Sequence, residues 1–232
     1  MILFHGSDHI IQKPQLALGR PNNDYGRGFY CTLDYALAQE WACKNSTDGF
    51  VNIYDLSLEG LAHLNQLDGN HTVLSWIALL LKNRKFSLTN EIALNSREYI
   101  ISHFCEDTSG YDILTGYRAD DSYFAFAESF VENGLPLRQL SHALYFGHLG
   151  SQTVLISKKA FEAIRFIEAK RVDRNIYFPL FKKRDNEARK AYQLELKRAS
   201  KFKNDLFVMD IIRKEIDNND SNAYFSIQLL RF

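Results

Sequence analysis

At 232 residues, 46% apolar and 13% aromatic, the chain is long enough for one sizeable domain with a buried core and too apolar for disorder. The 28 Lys+Arg balance the 28 Asp+Glu, so global charge selects neither nucleic acid nor an anionic membrane. Three separated cysteines, Cys31, Cys43 and Cys105, form no CxxC or Cys/His spacing, which argues against a disulfide framework or a zinc site and predicts three reduced thiols.

The first six residues read as a strand, without the basic region and apolar stretch of a signal peptide. A loop with Pro14, Pro21 and Asn22-Asn23-Asp24 leads to a second strand over 28–32. Asp34 then caps a helix whose buried face is Tyr35, Ala38, Trp41 and Ala42. Residues 51–56 alternate as a half-buried strand. The middle is helical, over 73–83 and 88–106. Residues 111–116 form an apolar strand stopped by Gly116, followed by helices over 121–132 and 137–145. Strands over 151–157 and 163–169 close this part. Helices grouped between strands, with antiparallel turns, predict an α+β domain over residues 1–171. From residue 172 the composition becomes charge-rich, and Ala188, Tyr192 and Leu196 step along one face of an amphipathic helix over 181–203. A shorter helix over 207–216 follows. Residues 172–232 are therefore read as a helical C-terminal extension. The longest apolar run, Trp76 to Leu81, is far below the roughly 20 residues of a membrane helix, and the expectation is a cytoplasmic protein with no membrane contact.

The common nucleotide and hydrolase signatures are absent: there is no GxxxxGK[ST] loop, no GxGxxG between strand and helix, no HExxH and no GxSxG. What stands out is His5 at the edge of one apolar strand and Tyr30 on the next, flanked by Gly26 and Gly28. Glycines there let a ligand approach the backbone. A histidine and a tyrosine so placed can grip a nicotinamide dinucleotide without a Rossmann loop. The alternatives are a hydrogen-bonded strand-end histidine and a core tyrosine. Asp112 interrupts an apolar strand, and a buried carboxylate needs a partner; Arg84 and Arg118 are the candidates. Asp120 or Asp121 is placed to cap the following helix. Arg27, Arg84 and Arg118 could each fork onto a pyrophosphate or form a surface ion pair.

His5-Gly6-Ser7, Asp24-Tyr25-Gly26-Arg27-Gly28-Phe29-Tyr30-x-Thr32, Ala38-x-x-Trp41-Ala42, Asn83-Arg84, Tyr111-Asp112-Ile113, Ala119-x-Asp121 and Gln152-x-Val154 together resemble an uncharacterised bacterial family. That family is grouped with the ADP-ribosyltransferase superfamily, and the resemblance covers roughly residues 1–170. It implies a split antiparallel β-sheet with a helical insertion and an NAD cleft between the two halves. In the branch with a His-Tyr-Glu signature, the histidine bonds the adenosine-side ribose, the tyrosine stacks on nicotinamide, and the glutamate binds the nicotinamide ribose. His5, with Gly6 and Ser7, and Tyr30, with Arg27 and Gly28, fill the first two positions as cofactor-binding candidates, Asp112 joining them. Gln152 fills the third. Glutamine keeps the hydrogen bond to a ribose hydroxyl and lacks the negative charge that would stabilise a cationic transition state.

The resemblance thus implies an NAD-dependent mono-ADP-ribosyltransferase, with Tyr30 and Gln152 at the reacting centre and NAD as co-substrate. Its acceptor would be a protein or nucleic acid, and a toxin, effector or defence role would add a cognate antitoxin to its partners. The alternative is a catalytically silent module of the same fold that binds a nucleotide or a partner protein. A third reading rests on the C-terminal segment, where Lys182, Lys183, Arg184, Arg189, Lys190, Lys197, Arg198, Lys201 and Lys203 outnumber Asp185, Glu187, Glu195 and Asp205. Such a helix either tracks a phosphate backbone or is a solvated face over an apolar stripe.

Overall fold

The computed structural model describes residues 1–119, 121–146, 150–198 and 205–218. They divide into two units. One comprises Met1–Leu67, Thr108–Arg118 and Gly150–Asn186, the other the described residues of Asp68–Asp107, Ala119–Leu149 and Glu187–Phe232.

The first unit is α+β and holds every strand of the described residues: β1 (Ile2–Ser7), β2 (Phe29–Cys31), β3 (Gly49–Leu56), β4 (His63–Asn65), β5 (Ile113–Tyr117), β6 (Ser151–Leu155) and β7 (Ile164–Val172). They form two sheets, ordered β1-β3-β7 and β2-β6-β5-β4. Every pairing is antiparallel except β4 with β5, which is parallel. Among the described residues the sheets meet at a single bridge, where Phe4 and Thr32 exchange both backbone hydrogen bonds at 2.9 Å.

Two apolar clusters follow from the period-two alternation of the strands. Leu3, Tyr54 and Leu56 face inward and meet Phe29, Cys31, Ile113, Leu155 and Ala160 of the second sheet and its neighbour. The opposite face of the first sheet, through Val51, Ile53 and Val172, packs under Ala38, Ala42 and Cys43. Those three belong to α1 (Tyr35–Ala42) and its end. Asp34 caps α1 by accepting from the Ala36 and Leu37 amides, as the sequence predicts. The helix lies so close to β1 that a Cβ on Gly6 would fall 2.1 Å from the Ala38 carbonyl oxygen. A short helix, α6 (Lys158–Ala163), capped by Ser157, separates β6 from β7.

The second unit is helical: α2 (Val73–Asn83), α3 (Glu91–Phe104), α4 (Asp121–Val131), α5 (Leu137–Phe146) and α8 (Val208–Arg213). Residues 74–81 of α2 are all buried, which is why the run around Trp76 is the most apolar of the chain. Thr72 and Asn90 cap α2 and α3 through their side chains.

The expected elements are present with shifted ends. The strand expected over 151–157 stops at Leu155, because Ser157 caps α6. The last strand reaches Val172. The C-terminal helix, α7 (Arg174–Arg198), starts before the expected residue 181 and runs through Pro179. Arg184, counted among the phosphate-tracking cations, is committed elsewhere. Its Nε and Nη2 each bond the Glu40 carboxylate at 2.8 Å, with Glu40 only 5% exposed. Asp120, Lys201, Lys203 and the side chains of Asp121, Ala188, Tyr192, Glu195, Leu196 and Arg198 lie outside the described residues. Among those described, no helix is long and apolar enough to cross a membrane.

Candidate functional site

The seam between the two sheets gathers the chemistry. His5 follows the bridging Phe4 and pairs with Asn52 of β3, so its ring faces the inner side and stacks on Phe29, centroids 4.5 Å apart. Its Nδ1 lies 2.6 Å from the Tyr30 carbonyl oxygen. A carbonyl only accepts, so Nδ1 carries the proton and Nε2 is left as an acceptor. Burial pushes the imidazole pKa down to about 4, which keeps the ring neutral near pH 7.

Tyr30 pairs with Val154, and Gln152 stands two residues earlier on β6. Paired residues share a face and so do residues two apart, so Tyr30 and Gln152 present their side chains on the same side of the second sheet. The Tyr30 hydroxyl donates to the Gly26 carbonyl at 2.6 Å and accepts from the Tyr25 amide at 3.0 Å. It thereby holds a turn closed by Gly26 N–H to the Asn23 carbonyl, with Gly26 at φ +77°. Glycine is needed there to adopt that angle without strain.

That turn carries the residue the sequence analysis did not select. Asp24 is 6% exposed and accepts from Gln152 Nε2 at 2.8 Å; Gln152, 4% exposed, also donates to the Tyr117 carbonyl at 3.3 Å. An acid after Asn22-Asn23 reads as turn composition, and only the fold joins it to a strand 128 residues away. Asn52 was missed in the same way. Wholly buried, it donates to Ser7 Oγ at 3.0 Å and to the His9 carbonyl at 3.2 Å, and accepts from the Ile11 amide at 2.8 Å. It fixes the loop that leaves β1.

The other candidates are placed differently. The Ser7 hydroxyl donates to the His9 carbonyl. Gly6 and Gly28 are packing glycines: a Cβ on Gly28 would meet Val154 Cγ1 at 2.6 Å. Arg27 is exposed and bonds the Ala17 carbonyl at 3.3 Å. Asp112 sits at the far end of β5 from Gln152, since Gln152 pairs with Gly116. Four residues of strand separate them, about 13 Å. Neither Arg84 nor Arg118 is its partner. Asp112 accepts from Ser157 Oγ and the Ala62 amide, with Lys159 at 3.9 Å, and the Ser157 bond leads the causes that lower its pKa. It is a latch between β4, β5 and α6.

A cationic rim lies beside the histidine. The Arg118 guanidinium sits 5.0 Å over the Trp41 ring, and the Trp41 indole N–H is buried with no acceptor among the described residues. Desolvation first, then the nearby Arg118 and Arg20 charges, lowers the Lys44 pKa. Lys44 in turn contributes to the lowering at His5. Among the described residues no group of three His, Cys, Asp or Glu could hold a metal ion.

Fold and site together define an α+β protein whose two sheets are joined at one bridge with a neutral histidine, a clamped tyrosine and an amide–carboxylate pair around it. Residues 1–166 match the family described as protein of unknown function (DUF3990), and the chain belongs to that family. No curated protein and no solved structure matches it.

Proposed function

We propose that the protein is an NAD-dependent mono-ADP-ribosyltransferase built on an ADP-ribosyltransferase-like split sheet. The observation that carries this reading is the seam. His5 and Tyr30 flank the single Phe4–Thr32 bridge, are tied to each other by the 2.6 Å bond, and Tyr30 shares a face with Gln152.

In this reading NAD enters the seam with its adenosine-side ribose at His5. Neutral His5 accepts a hydrogen bond from a ribose hydroxyl at Nε2, a role closed to an imidazolium. The Tyr30 ring, held by its own hydroxyl, offers a fixed plane to nicotinamide, so little rotamer entropy is lost on binding. Arg20, Lys44 and Arg118 supply positive charge for the diphosphate. Gln152 meets the nicotinamide ribose. The C1′–N bond to nicotinamide breaks and its electron pair neutralises the pyridinium nitrogen. An acceptor nucleophile on a protein or nucleic acid bonds C1′ and releases its proton to solvent.

The alternative, a silent module that binds a nucleotide or a partner protein, is favoured by one observation: the side chain at position 152 is an amide rather than a carboxylate. Nicotinamide release from NAD, with cell extract as the source of acceptor, separates the two. Release by the wild type that falls at least 100-fold in Tyr30→Ala supports the enzyme, a loss in the range for one transition-state contact. NAD binding with no release supports the silent module.

A further inference from the structure

We propose that Asp24 is the positioning residue for Gln152 and supplies, one amide group away, the negative charge that glutamine lacks. The inference rests on the ADP-ribosyltransferase reading and deepens it.

An ionised carboxylate only accepts hydrogen bonds. Asp24 Oδ2 therefore faces the NH2 end of the Gln152 amide, at 2.8 Å. The second N–H points to the Tyr117 carbonyl at 3.3 Å. With both donors held, the amide cannot flip, and Oε1 is turned away from both partners. Oε1 takes no hydrogen bond among the described residues. A free amide presents oxygen and nitrogen with similar ease; this one presents oxygen, the end that accepts from a ribose hydroxyl.

The charge matters as much as the orientation. Both side chains are nearly excluded from water, at 6% and 4% exposure. Fields are screened less there than in solvent. As the C1′–N bond breaks, positive charge grows on the ribose, and a fixed anion behind the amide stabilises it without reorganising. The carboxylate polarises the amide it bonds, which makes Oε1 a stronger acceptor. Asp24 is also well fixed: it lies in the turn whose Tyr25 amide and Gly26 carbonyl are held by the Tyr30 hydroxyl. The platform for nicotinamide and the anion behind the ribose contact are thus one assembly.

Position 24 and position 152 should then exchange roles. Asp24→Asn keeps the shape, removes the charge and lets the amide flip. Gln152→Glu alone places two carboxylates in contact, so one proton is shared between them and its pKa rises. The double variant Asp24→Asn/Gln152→Glu restores one charge and one N–H···O bond.

The test measures kcat and KM for nicotinamide release, the pH profile, the NAD dissociation constant by calorimetry, and the thermal midpoint of each variant. Asp24→Asn is expected to lose roughly 30- to 300-fold in kcat with KM for NAD changed less than about threefold. The double variant is expected to recover to within about tenfold of wild type. Gln152→Glu should show an inflection above pH 6 that the wild type lacks. Should the wild type bind NAD without turnover, the same comparison is made on affinity: about tenfold weaker in Asp24→Asn, restored in the double variant. An Asp24→Asn enzyme within twofold of wild type overturns the role of Asp24, as does a loss the double variant fails to recover at an unchanged thermal midpoint. A wild type that binds no NAD overturns the underlying reading itself, a result visible before any variant is made.

Discussion

At the scale of single residues, the buried imidazole of His5 makes the first unit sensitive to mild acid. Its pKa stands at about 4 in the folded protein and near 6.5 in an unfolded chain. Between these values the unfolded state binds the extra proton, so stability is complete above about pH 6.5 and falls as the pH drops towards 4. That difference corresponds to a stabilisation on the order of 3 kcal/mol. Asp8, Asp48, Asp55 and Asp112, all with lowered pKa, act in the same direction at lower pH, and His63 adds to the effect of His5. Urea midpoints from pH 4 to 7 should therefore slope steeply in the wild type and clearly less in His5→Gln; equal slopes would contradict the account. His5 and Tyr30 were legible in the sequence because each is a polar ring at the edge of an apolar strand. Asp24 and Asn52 were not. One sits in a turn-like tripeptide and the other in an alternating strand, and their partners are remote in sequence.

At the scale of elements, two contacts locate α1 and α7. A methyl on Gly6 meets backbone, the Ala38 carbonyl at 2.1 Å and the Ala42 amide nitrogen at 2.6 Å, so no side-chain rotation relieves it. Gly6→Ala should cost about 2–3 kcal/mol and lower the thermal midpoint by about 5–10 °C; a midpoint within a degree of wild type would show that helix and strand part freely. Arg184 of α7 neutralises Glu40 of α1 through two 2.8 Å bonds. Arg184→Met strands a buried carboxylate and should cost about 3 kcal/mol, the larger part returned by adding Glu40→Gln. Chemical denaturation of both variants measures this. Most elements were readable from periodicity and caps: Asp34 caps α1 as expected, and α2 keeps its bounds of residues 73–83. The short ones were not. β4 is three residues, His63-Leu64-Asn65, too brief to show alternation, and it exists through its parallel pairing with β5. α6 is six residues long. The run through Pro179 in α7 defeats the rule that proline ends helices.

At the scale of the whole molecule, sequence reasoning reached the α+β class and the strand–helix order, because long elements carry their own pattern. It singled out His5 and Tyr30, which the fold places beside the bridge, and Gln152, which shares a sheet face with Tyr30. Gly6 and Gly28 stand tight against neighbouring atoms and Asp112 bonds Ser157 and the Ala62 amide, packing details that a lone residue in a sequence does not reveal. The pairing of the two sheets through Phe4 and Thr32 is a tertiary fact with no local signature. The proposed enzyme must first bind NAD at this seam. Calorimetric titration of NAD into the wild type, His5→Ala and Tyr30→Ala tests it most directly. Saturable binding by the wild type is expected, weakened at least tenfold in each variant while both retain their fold. No binding by the wild type, or binding equal in all three proteins, would contradict it.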